Sequence, residues 1–353
     1  MGTDRGPAGS TPESPFRSAN TPGFAGLLED LGITLLVTTY QAGKLMAVRA
    51  RDGRIATLLR TFERPMGLAV REPGQFALGM RTQVWLFRDA PDLAPQVLPA
   101  GKHDACYLPR VSYVTGDILC HEMAWGDDGL WVVNTFFSCL CGVDPAYSFV
   151  PRWHPPFLPG AAPGDHCHLN GLAVAGGKPR YVTALGESTT PEGWRPTRID
   201  GGVLLDVASE AVVSRGLSMP HSPRVHGGRV WVLESGTGQV QTVDPDTGQR
   251  TVVAGLPGFA RGLAFRGPYA FVGLSKVRES NAFAGLPITR EGADLRCGIW
   301  VVDLRSGAVA EYMQFEAGVE EVFAVEVLPG SRFPEVVGFQ QDTVRGAFVV
   351  PPS

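Results

Sequence analysis

One short pattern recurs six times and constrains the fold more than any other feature of the chain. A strand start of the form Gly-Leu-Ala-Val stands at Met66-Gly67-Leu68-Ala69-Val70 and at Asn170-Gly171-Leu172-Ala173-Val174. Variants stand at His121-Glu122-Met123-Ala124-Trp125, His221-Ser222-Pro223-Arg224-Val225, Arg261-Gly262-Leu263-Ala264-Phe265 and Glu321-Val322-Phe323-Ala324-Val325. Short β-branched and aromatic runs follow the copies, such as Leu130-Trp131-Val132-Val133 and Val230-Trp231-Val232-Leu233, which is strand composition. Between them lie turns such as Asp244-Pro245-Asp246-Thr247-Gly248, where Asp caps through its own backbone and Gly supplies a positive φ. Copies forty to sixty residues apart, each with four strands, predict an all-β, six-bladed β-propeller with a central channel. Spare strand-like runs at 33–59 and 335–350 predict that the last blade mixes strands from both ends of the chain.

Composition agrees and narrows the class. Apolar residues make up 44% of the 353 and charged residues 19%, enough for a large core. Residues 1–22 are rich in Gly, Pro, Ser and Thr and lack an apolar signal-peptide core, so they are expected to form a disordered tail. Residues 23–353 are expected to form a single propeller domain, with one short helix at Phe24–Leu31. A net charge of −4 with mixed signs points away from nucleic acid and membrane surfaces. No apolar run reaches the length of a membrane span. The six cysteines form no CxxC pair and are too sparse for a disulfide framework, so a reducing cytoplasm is the expected location. The oligomeric state is left open.

The position three before the Ala of each copy is expected to face the channel near its mouth. Those residues are Met66, His121, Asn170, His221, Arg261 and Glu321. Arg64 and His168, two positions further back, share their face because strand side chains repeat every two residues. Loops of the same face carry Tyr40, Lys44, Asn134, Glu187, Trp194, Arg195, Lys276 and Arg278, while the opposite turns are ordinary Asp/Gly turns. Loops held on one face of a rigid scaffold are where binding and chemistry gather. Imidazole and carboxylate donors suit Zn²⁺ or a redox-active divalent transition metal. His121, His168, His221 and Asn170 are therefore the candidate metal ligands, with Glu321 as base and Arg64 and Arg261 as anion-stabilising groups. Tyr40, Lys44, Asn134, Glu187, Arg195, Lys276 and Arg278 are the candidate substrate contacts. Without a metal, the same set makes a carboxylate- or peptide-binding mouth. Asp165-His166 and Cys167 read as loop residues, with a supporting role at most.

Longer stretches carry a resemblance. Tyr40-Gln41-Ala42-Gly43-Lys44-Leu45, His121-Glu122-Met123-Ala124-Trp125, Asn134-Thr135-Phe136-Phe137-Ser138-Cys139-Leu140, His168-Leu169-Asn170-Gly171-Leu172-Ala173 and Met219-Pro220-His221-Ser222-Pro223-Arg224 resemble an uncharacterised bacterial family of conserved hypothetical proteins, a domain of unknown function. More distantly, Asn170-Gly171-Leu172-Ala173-Val174 is similar to the inner strand of gluconolactonase/SMP-30 and NHL-type propellers. In the lactonases an Asn and a carboxylate at this position bind a divalent cation, which the resemblance maps to Asn170 and Glu321. Histidine at two other ring positions departs from that oxygen-rich set. The departure leads toward a softer metal, as in the His-ligated propeller lyase that cleaves hydroxyglycine peptides, and away from lactone hydrolysis. The expectation is a metal-dependent enzyme of hydrolase or lyase type acting on a small or peptide-like anionic substrate. The alternative is a non-catalytic propeller presenting the same mouth to a peptide or partner protein.

Overall fold

The computed structural model describes residues 16–277, 283–289, 294–339 and 341–351. Their strands form six sheets, and the sheets are the blades of a β-propeller. Blade 1 begins on the inner strand Leu68–Arg71, blade 2 on Cys120–Gly126 and blade 3 on Leu169–Ala175. Blade 4 begins on Pro220–His226 and blade 5 on Phe259–Arg266. Each continues outward through three antiparallel neighbours in chain order.

Blade 6 closes the ring. Its inner strand, Ala324–Pro329, comes from the C-terminal end and pairs antiparallel with Ile33–Thr39, followed by Lys44–Arg51 and Arg54–Thr61. The expected mixing of the two ends is therefore present. Two further strands widen neighbouring blades. Glu335–Val336 runs parallel to Cys106–Val114 at the edge of blade 1. Arg17–Asn20 adds a fifth strand to blade 5, antiparallel to Ala308–Ala317.

That last strand corrects the expectation of a disordered tail through residue 22. An outer propeller strand offers a row of unpaired backbone groups, and Arg17–Asn20 satisfies them while Phe16 packs on Phe315, centroids 5.6 Å apart. Residues 1–15 lie outside the described residues. The helix Phe24–Leu31 has the predicted bounds. It buries Phe24, Ala25 and Leu28 against blades 5 and 6 and ends on Gly32, whose φ of 63° is readily reached without a Cβ.

The core is divided among the blade interfaces. Val133, Leu140, Leu172 and Val182 join blades 2 and 3, Trp231, Leu233, Leu263 and Val272 join blades 4 and 5, and Leu36, Leu45, Phe76 and Leu78 join blades 6 and 1. This is why the strands read as nearly continuous apolar runs: both faces of each inner strand region are covered.

A second set of links is polar and recurs at successive interfaces. Near the mouth, a hydroxyl on the second strand of one blade reaches the inner strand of the next. Thr38 donates to Met66 O at 2.6 Å, Thr135 to Leu169 O at 2.6 Å, Ser235 to Ala260 O at 2.5 Å and Ser275 to Val322 O at 3.1 Å. Between blades 3 and 4 the link has an extra member. Thr183 donates to Asn170 Oδ1 at 2.7 Å, and Asn170 Nδ2 donates to Pro220 O at 3.0 Å. Between blades 1 and 2 the backbone makes the link, Gly67 N donating to Cys120 O at 3.1 Å, and Gly79 packs on Cys120, where a Cβ would lie 2.5 Å from Sγ.

Candidate functional site

Inner strands 2 to 5 are irregular at the mouth. Their pairing registers shift at Cys120–Met123, Leu169–Gly171, His221–Arg224 and Ala260–Leu263. A bulge bends a strand and re-aims its side chains. The residue two before the ring position takes a left-handed backbone in four blades: Arg64, Leu119, His168 and Met219, with φ of 48°, 51°, 49° and 47°; in the last three it stands just before the bulge. Non-glycine residues pay for that conformation, and such strain collects at functional sites. Leu119, His168 and Met219 thereby reach the same cavity as His121 and His221.

The cavity occupies about 670 Å³ at the mouth, the size of a small-molecule site. Tyr40, Phe136, Trp194, Phe259, Phe283 and Phe323 wall it, and its polar surface comes chiefly from His121, His168, His221, Arg261 and Glu321. Arg261 lies over Phe323, its guanidinium carbon 3.5 Å from the ring centre, and its Nη1 is 3.4 Å from Glu321 Oε1. Burial outweighs that pairing on both sides. It lowers the Arg261 guanidinium to about 10 and pushes the Glu321 carboxyl up. Among the described residues, the buried Glu321 Oε2 has no hydrogen-bond partner.

The three imidazoles are each held through Nδ1. His121 Nδ1 lies 3.2 Å from Leu119 O and 2.9 Å from Thr135 Oγ1; His221 Nδ1 lies 2.9 Å from both Met219 O and Ser235 Oγ. His168 Nδ1 lies 2.7 Å from Asp165 Oδ2, which also accepts the Trp194 indole N–H at 3.3 Å. Burial, and after it the neighbouring His168 and Arg261, hold His121 well below the usual histidine range. Burial and Arg261 do the same to His221. The His121 and His168 rings meet edge to face at 4.7 Å.

Of the expected metal ligands, His121, His168 and His221 share the cavity, and Asn170 does not. Thr183 bonds one end of the Asn170 amide and Pro220 the other, so it links blades 3 and 4. Among the described residues, no three His, Cys, Asp or Glu side chains lie close enough to hold a metal ion between them.

Of the expected catalytic groups, Glu321 and Arg261 are in place, while Arg64 stands at the rim and is not a cavity-lining residue. Its guanidinium bonds the Tyr40 hydroxyl and lies over the Tyr40 ring at 4.7 Å. The expected substrate contacts divide too. Tyr40 and Arg195 line the cavity, Arg195 paired with Glu192 at 2.8 Å. Lys276 belongs to an adjoining space of about 230 Å³ that shares Arg261 and Glu321 with the main one. Three others bond away from the cavity. Lys44 reaches Thr61 at 2.6 Å, Glu187 pairs with Arg215 at 2.7 Å, and buried Asn134 accepts the Phe137 N–H within its own turn. Each finds a closer partner inside its blade than the mouth offers. Arg278 lies outside the described residues.

One feature is read in the sequence only as a supporting role at most, and a second goes unrecognised there. Asp165 orients His168, a role hinted at only by the Asp-x-x-His spacing. Beyond the ring, Arg224 of blade 4 spans the channel to Glu122 of blade 2 at 2.5 Å and Glu326 of blade 6 at 3.4 Å. Burial pushes both carboxyls up against the opposing pull of Arg224, Glu326 to about 7.

Fold and cavity together define the class, a six-bladed propeller with a built cavity at one mouth of its channel. By sequence the chain belongs to the family described as a domain of unknown function, DUF4915, which matches residues 22–337. No curated protein sequence matches it. In structure it is similar to a chain from a crystal structure of a nidogen/laminin complex, at 10% identity and a TM-score of 0.53, over 84% of this chain and 99% of that one. It is also similar to a protein of unknown function from Bacteroides caccae, at 11% identity and a TM-score of 0.50, over 84% and 98%. At such identities the likeness is one of fold alone. No described helix is long and apolar enough to cross a membrane.

Proposed function

We propose that the mouth cavity binds a small organic anion and acts on it by general acid–base catalysis, in a reaction of hydrolase or lyase type. The observation that carries this is the Asp165–His168 pair in the same cavity as Arg261. A carboxylate on Nδ1 fixes the tautomer and orientation of an imidazole and stabilises its protonated form. His168 Nε2 then takes a proton from water or from the substrate. Arg261, desolvated and stacked on Phe323, holds the carboxylate or a developing oxyanion. Glu321, its carboxyl pushed up by burial, returns a proton to the leaving group.

A panel of esters, lactones, amides and hydroxy acids bearing a carboxylate tests the proposal with wild-type, His168→Ala and Asp165→Asn proteins. Any turnover found is expected to fall by about 10²–10⁴-fold in His168→Ala. Unchanged turnover in both variants would sink the role of the pair. Metal content by mass spectrometry, wild type beside a His121→Ala/His221→Ala variant, runs in parallel. Near-stoichiometric metal lost in the variant would restore the metal-dependent reading. The six aromatic faces of the cavity favour a second reading, a binding propeller without turnover. Tight ligand binding with no product would select it.

A further inference from the structure

Hydroxyl commitments fix the tautomers of His121 and His221. Thr135 spends its only proton on Leu169 O at 2.6 Å, so toward His121 Nδ1, 2.9 Å away, its oxygen acts as an acceptor. Ser235 spends its proton on Ala260 O at 2.5 Å and likewise accepts from His221 Nδ1 at 2.9 Å. The second neighbour of each Nδ1 is a carbonyl, Leu119 O or Met219 O, which also only accepts. Both Nδ1 atoms therefore carry the hydrogen. In a neutral ring the other nitrogen, Nε2, is then a bare acceptor. The arrangement occurs twice with the same spacing, the hydroxyl residue fourteen positions after its histidine, and the inter-blade links of the propeller itself enforce it.

We infer that His121 and His221 present two fixed hydrogen-bond acceptors to the ligand, so the cavity selects an organic acid that brings hydroxyl or amino donors to them and its carboxylate to Arg261. A small anion whose oxygens only accept, such as sulfate, can be held by donors such as Arg261 but finds none at these two imidazoles. The absence of a three-ligand cluster among the described residues favours donors spread around an organic ligand over one shared ion. This inference rests on the mouth cavity being the ligand site, and it concerns what the ligand must carry.

The test is long-range ¹H–¹⁵N correlation spectroscopy of the full chain labelled on histidine nitrogens at pH 7. His121 and His221 are assigned by single His→Gln variants, or by backbone-to-side-chain correlations if a variant does not fold. Both rings are expected to show Nε2 as the nitrogen without a proton. A ring with its proton on Nε2 instead would overturn the inference. Added sulfate is expected to leave both Nε2 atoms unprotonated, and a sulfate-induced Nε2–H at either ring would also overturn it. The spectra do not depend on turnover. A reversed tautomer beside an active enzyme thus defeats this inference alone, while tautomers as assigned beside an inert cavity defeat the proposed function.

Discussion

Thr183 Oγ1 donates to Asn170 Oδ1 at 2.7 Å, and that bond takes Asn170 out of the cavity and into the joint between blades 3 and 4. The other end of the amide reaches Pro220 O, next to His221. Asn170→Ala would leave two buried polar groups without partners, each costing about 1–3 kcal/mol. Urea unfolding is expected to show a loss of roughly 2–4 kcal/mol, with the metal content of the folded protein equal to that of wild type. A variant of wild-type stability that had lost a bound metal would return Asn170 to the ligand set.

The Glu122–Arg224–Glu326 bridge gives the protein a signed pH dependence. A carboxyl whose folded value is raised stabilises the folded state while protonated, and that contribution is lost as pH rises through the folded value. For Glu326 the window runs from 4.5 to about 7, worth about 3 kcal/mol at most at ~1.4 kcal/mol per unit. His121 and His221 act oppositely. Held below 6.5, they favour the folded state above that value and lose this as pH falls through it. Glu326→Gln is expected to flatten the decline between pH 5 and 7 without touching the histidine limb, as read from unfolding free energies across pH. An unchanged profile would mean that Glu326 is ionised throughout.

Removing the N-terminal strand tests whether it protects an edge. A chain starting at Thr21 loses the pairing of Arg17–Asn20 with Ala308–Ala317 and the packing of Phe16 on Phe315, which is fully buried. The exposed edge is open to pairing with another chain. Light scattering is expected to show concentration-dependent association, with a stability loss of about 1–3 kcal/mol. A monomer as stable as the full chain would show that the strand only rests on blade 5.

Blade number, ring closure and most of the mouth were legible because they follow from periodicity. His121, His221, Arg261 and Glu321 line the cavity because each stands at the same place in its copy of the repeat. What was not legible depends on departures from that period. Asn170 occupies the same ring position as the two histidines, and its strand shifts register as theirs do; its bonds to Thr183 and Pro220 hold it in an interface. Lys44, at the start of the strand Lys44–Arg51, and Glu187 bond to Thr61 and Arg215, which are far along the chain. The partnership of Asp165 with His168 depends on left-handed backbone at both residues, φ of 50° and 49°, which no apolar pattern announces.

Ring closure is concentrated on one hydroxyl. Thr38, wholly buried, donates to Met66 O of blade 1 at 2.6 Å and accepts from Ala324 N at 3.1 Å, the first residue of the C-terminal inner strand. Three segments from sequence-distant parts of the chain meet there. Thr38→Val keeps the shape, removes the hydroxyl and leaves a carbonyl and an N–H buried without it, a loss of roughly 2–4 kcal/mol. Ser235→Ala removes the equivalent hydroxyl between blades 4 and 5, where the chain is continuous. If the hydroxyl at Thr38 also fastens the ring, hydrogen exchange in Thr38→Val should quicken selectively in Ala324–Pro329 and Ile33–Thr39. In Ser235→Ala those strands should stay protected while Phe259–Arg266 loosens. Equal loosening of all six inner strands in both variants would mean that the ring opens only by global unfolding and that Thr38 has no special part in closing it.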